Sequence, residues 1–158
     1  MSFENVNVQS AKNSLNACLN SIDYSRTTKI IQNIQGGKIW NTSAKDVLKT
    51  SLEKVTNEKY KKLKEKIETY LEVVDLIEQY QALQNKLQNN IDQTNKTQQN
   101  LKTAKDNQKR NKDETKNYQF QKSVNNYSNQ LNELNKNKNN IEQEMSNLKA
   151  QIESKVNE

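Results

Sequence analysis

The chain has no proline, no histidine, two glycines and a single cysteine among its 158 residues. Proline and glycine are the main breakers of helices and makers of turns, so their near absence leaves long helices as the default. Without histidine there is no imidazole base, no Ser-His dyad and no histidine-based metal site. One cysteine permits neither an intrachain disulfide nor a CxxC pair. The two glycines are adjacent and no GxxxxGK follows them, so there is no phosphate-cradling loop. Carboxylates are plentiful, but they alternate with lysines as solvated helix faces do. These absences point away from an enzyme, and no cofactor or metal ligand set is expected.

Apolar residues are also scarce. They make up 31% of the chain, against roughly 45–50% in ordinary globular domains. A thick core is therefore excluded. Narrow seams between paired helices remain, since these need only about two apolar positions in seven. No run approaches the ~18 apolar residues of a membrane span, and the first residues lack the basic start and apolar centre of a signal peptide. Asparagine (26) and glutamine (16) fill most polar positions.

What is present is periodic. Val8, Ala11, Leu15, Cys18, Leu19 and Ile22 recur three or four apart, which places them on one face of a first helix. The reading makes Cys18 a buried structural thiol. "SIDYSRTT" interrupts this stripe and predicts a kink near 23–25, after which Ile30, Ile31 and Ile34 resume it. Gly36 and Gly37 then close the helix, because glycine accepts the left-handed conformation of a helix C-terminus. Ser43 with Asp46 three residues on has the S-x-x-D form of a capping box and starts the next helix.

From there the apolar pattern runs through Val47, Leu48, Leu52, Val55, Leu63, Ile67, Tyr70, Val74, Ile77, Tyr80, Leu83, Leu87 and Ile91. That predicts one helix of ~60 residues, or ~90 Å at 1.5 Å per residue. Residues 105–117 are polar and read as a loop or a fraying tip. Beyond them Phe120, Val124, Tyr127, Leu131, Leu134, Lys138, Ile141, Met145, Leu148, Ile152 and Lys155 alternate four and three apart without error. This is a heptad seam over five repeats, with lysine at two seam positions. The expected fold is all-α: elongated antiparallel helical hairpins, or coiled coil, built on one long central helix. The expected division is a helix–turn–helix hairpin over 1–72 and an antiparallel coiled-coil hairpin over 63–158 that shares the long helix.

The bend between the first two helices holds both glycines and the only tryptophan. "WNTSA", Trp40 to Ala44, set between two amphipathic helices, resembles the WXG100 or ESAT-6-like family, whose hairpins carry W-x-G-x-A at the turn. The resemblance covers about residues 5–75; Trp40 and Ala44 match, and Thr42 stands in place of the family's glycine. The family's Y-x-x-x-[DE] pattern is absent, as no tyrosine of this chain has an acid four residues later. The resemblance implies export by type VII secretion in a Gram-positive bacterium. It also implies pairing with the helical region of a larger secreted protein, or as a homodimer. Trp40, Ile34, Val47, Leu48 and Leu52 would carry that contact, by helix-on-helix burial.

The competing reading is a coiled-coil structural component of a phage particle or similar assembly, in which Trp40 merely plugs the open end of a hairpin. The net charge of +6 is concentrated at 102–122, which carries seven basic and three acidic residues. Arginine occurs only twice and the basic residues are interleaved with acids, so a nucleic-acid partner is not favoured.

Overall fold

The structure is a computed structural model and describes residues 6–22, 29–30, 32–33, 43–111 and 113–157. All regular elements among them are helical. They are α1 (Val8–Ser21), α2 (Ser43–Val55), a π-helical turn (Thr56–Tyr60), α3 (Lys61–Arg110) and α4 (Glu114–Val156). The all-α reading holds, and so does the long helix that pairs with a second one. Contacts divide the chain into two compact units, one holding Asn5–Leu76 with Lys155–Glu158, the other Ile77–Ser154.

In the first unit, α1 starts where Asn7 accepts a bond from the Ser10 N–H at 2.9 Å, satisfying one of the orphan donors of a helix N-terminus. It turns Val8, Ala11, Leu15 and Leu19 half inward, one side of the predicted stripe. Cys18 does not follow them. It is exposed, a correction to the buried thiol expected from spacing alone. Position 18 lies about 100° around the helix from position 19, and a narrow contact covers only one of the two. Lys12 reaches Asp75 of α3 at 2.7 Å. Thr56, Ile67, Val73 and Val74 are buried.

The predicted uninterrupted long helix is broken once in its hydrogen bonding, by the π turn at Thr56–Tyr60. The Lys61 N–H is shared between the carbonyls of Asn57 and Glu58. The Thr56 hydroxyl donates back to the Leu52 carbonyl at 2.7 Å, a local bond of the kind that bends helices. A π turn takes up one extra residue without ending the helix.

In the second unit, α3 and α4 run antiparallel as a hairpin. Gln108 bonds Gln121 near the tip, and the Asn90 amide bonds the Leu134 carbonyl further along. The predicted loop at 105–117 is much shorter: only 111–113 separate the helices. Its polarity was misleading because Ala104 is buried and Gln108 half-buried, which is enough to hold α3 helical to Arg110. Asp113 then starts α4, accepting from the N–H groups of Thr115 (3.0 Å) and Lys116 (3.3 Å). Along α4, Phe120, Val124, Tyr127, Leu131, Leu134, Ile141, Met145 and Leu148 are half-buried, and Ile152 is fully enclosed. Opposite lie Leu83, Leu87, Asn90, Thr94, Thr97, Leu101, Ala104 and Gln108, again alternating four and three. Half of this facing seam is polar, so few side chains are fully desolvated and each contributes only part of the ~1.5–3 kcal/mol of complete burial.

Candidate partner-binding surface

The predicted contact residues separate by location. Trp40, Ile34, Gly36 and Gly37 lie outside the described residues. Ser43 is the first residue of α2, and Asp46 sits exposed in its first turn, where a carboxylate favours the positive end of the helix dipole. Val47 is 66% exposed and Leu48 37% exposed. Leu52 is half-buried and belongs to the covered side.

The covered and uncovered sides of this helix can be followed residue by residue. Leu52, Thr56, Tyr60, Ile67 and Val74 form the inward line, half-buried or buried throughout. A second apolar line stays in solvent: Leu48, Val55 at 48%, Leu63 at 50% and Tyr70 at 39%. Its steps are seven, eight and seven residues. Seven residues is nearly two full helical turns. The step of eight spans Thr56–Tyr60, where the π turn absorbs the additional residue. The four side chains are thereby brought onto one side of the helix.

Val55, Leu63 and Tyr70 were legible as apolar periodic positions, but nothing in one sequence separates the side a neighbour covers from the side it leaves open. The signal that marks them is the eight-residue step, which an unbroken α-helix would spread around its surface.

The charges beside this line are mixed, with exposed Glu58 four residues before Lys62. Lys49, Lys61 and Lys64 pair with Glu53, Glu65 and Glu68 at i,i+4, at 3.7–4.0 Å. Lys59, Lys62 and Lys66, spaced three and four apart and all exposed, lie along the near flank. The Lys66 ammonium stands 5.9 Å from the centre of the Tyr70 ring, within range of a cation–π contact. At one end of the line, Lys155 of α4 pairs with Glu72. There Lys155 and Val156 share a small groove of about 200 Å³ with Glu65, Lys66, Thr69 and Tyr70.

The hairpin unit offers a different surface. One groove there, of about 800 Å³, is lined mainly by amides, among them Gln93, Asn100, Asn129 and Gln130, with Lys96 and Glu133. Among the described residues no three His, Cys, Asp or Glu side chains gather into a group able to hold a metal ion. No described helix is long and apolar enough to cross a membrane.

No family model, curated protein or solved structure matches this chain.

Proposed function

We propose that this protein is a non-enzymatic helical interaction protein of the WXG100-like kind. It is a partner, adaptor or substrate of a type VII-like secretion system, and packs helix on helix with a larger secreted protein or with itself. The observation that carries this reading is the exposure of Val47 and Leu48 in the opening turns of α2, which follows Trp40 in the sequence. Isolated exposed apolar residues need no explanation, but here two adjacent ones begin a line that continues along the helix. In this reading the protein resides in the cytoplasm until export. The partner supplies the export pattern that this chain's tyrosines lack.

A second reading, a coiled-coil component of a phage particle, draws on the α3–α4 hairpin, whose 43-residue α4 carries an unbroken seam and little else. Affinity purification from the native host with mass spectrometry separates the two. Co-purification of a large secreted protein with a helical N-terminal region, with Trp40→Ala reducing that association more than thermal stability, supports the first. Tail or capsid proteins in the eluate overturn it.

A further inference from the structure

We infer that one face of the α3–α4 hairpin is the seat of a second copy of the same hairpin, laid with α3 over α4 so that two chains make a four-helix bundle. This rests on the reading of the chain as a protein that packs helix on helix, and it names the surface and the occupant for packing with itself.

Grooves of about 400, 440 and 800 Å³ follow one another along this face of the hairpin unit. The first two share Leu83, Lys86 and Glu144, and the second meets the third at Gln93, so they form one continuous trough. From Gln79 to Asn100 it is ~32 Å long, at 1.5 Å per residue. Across two helices each ~10 Å wide, that length gives about 1,300 Å² for a pair of copies, within the range of specific interfaces. The seam residues Leu134, Ile141 and Leu148 line the trough and are only half-buried. A second pair of helices completes the burial of such residues in a four-helix bundle.

The walls point to the occupant. On α3 their charges are Lys86 and Lys96, on α4 Glu144 and Glu133, all exposed. Lys86 lines the same stretch as Glu144, and Lys96 the same stretch as Glu133. None of the four is in an ion pair among the described residues. A two-fold axis parallel to the helices keeps every level and sets α3 of one copy over α4 of the other. Lys86 then meets Glu144 of the second copy and Lys96 meets its Glu133, each twice by symmetry. One line further out, exposed Asp92 and Lys136 each lie two residues from the Asn90–Leu134 bond, so this pair also meets as opposites. Exposed Glu78 stands at the end of the trough, before both pairs. The other two-fold arrangement, α3 over α3, sets lysine near lysine and glutamate near glutamate, and such repulsion fixes the register against it. The remaining wall residues are mostly amides, which carry donor and acceptor together and so complement a copy of themselves.

Sedimentation equilibrium of the full chain tests this. The wild-type chain forms a dimer, with a dissociation constant in the micromolar range. Lys86→Glu with Lys96→Glu makes both walls acidic, and Glu133→Lys with Glu144→Lys makes both walls basic. Each of these variants alone associates at least about tenfold more weakly than the wild type, with its helical circular dichroism retained. Mixed in equal amounts, the two form a heterodimer as tight as the wild-type dimer. The chain carrying all four substitutions dimerises again, because its walls are opposite once more. A monomeric wild-type chain, undiminished association of both charge-reversed variants, or a mixture that stays apart overturns the inference. The last result is the one that pairing of these charges across the trough within a single chain would give. Failure of the secretion-partner reading shows separately, in the host purification, which does not depend on this face. Sedimentation of the pure chain in turn depends on no host partner.

Discussion

The side-chain amide of Asn90 donates to the backbone carbonyl of Leu134 at 3.1 Å, joining α3 to α4 in the middle of their seam. Asn90 is buried, and its own carbonyl oxygen has no hydrogen-bond partner among the described residues. A polar seam residue of this kind fixes register at a cost in stability.

Asn90→Leu is therefore expected to stabilise the protein. Removing a buried unsatisfied acceptor relieves a penalty of roughly 1–3 kcal/mol, and the lost amide bond offsets about 1 kcal/mol of that. The urea midpoint should rise with the slope unchanged, the signature of altered stability at constant exposed surface. A fall in midpoint would show that the Leu134 bond outweighs the orphaned oxygen.

Ile152 is the one described side chain with no solvent exposure at all. Truncation to alanine should cost about 2–4 kcal/mol, the range for a buried isoleucine whose site collapses partly. Chemical denaturation measures it, and a loss below about 1 kcal/mol would mean that the end of α4 is not held in place.

Ile67 and Leu63 are four residues apart, yet one is buried and the other half exposed. Ile67→Ala should lower the melting temperature clearly, whereas Leu63→Ala should change stability by no more than about 0.5 kcal/mol. Equal losses would place Leu63 in a contact that its exposure denies.

Deletion of the exposed Asn57 removes one residue from the π turn. The helix then regains regular bonding but turns Leu52 and Thr56 by about 100° relative to Tyr60 and Ile67. Helical content by circular dichroism should persist while the melting temperature falls by several degrees. An unchanged melting temperature would mean that the phase correction carries no packing.

Cys18 is exposed on α1, so a thiol reagent should modify the native protein fully, at a rate near that of the unfolded chain, because access limits thiol chemistry in folded proteins. Protection of the thiol until unfolding would return Cys18 to the covered face.

The helical class was legible because its causes are local. Missing proline, scarce glycine and a three-and-four apolar rhythm all act within a few residues. The α4 seam could be read position by position from Phe120 to Ile152. The α3 side of the same seam was harder to read past Ile91, since Asn90, Thr94, Thr97 and Gln108 fill positions where apolar residues were sought. A seam tolerates such residues when the opposite helix supplies Leu131 and Leu134. That compensation is invisible in one strand of the pattern.

The sequence alone determined that this chain forms long amphipathic helices and which residues of α4 turn inward. Tertiary structure decided the rest. It buried Ile67 and left Leu63 open, exposed Cys18 beside a half-buried Leu19, and narrowed a loop expected over 105–117 to three residues. Most of all it placed one extra residue in a π turn, so that apolar positions seven, eight and seven apart share a side. Periodicity is a property of a single helix, whereas the choice of covered face depends on where its neighbours end.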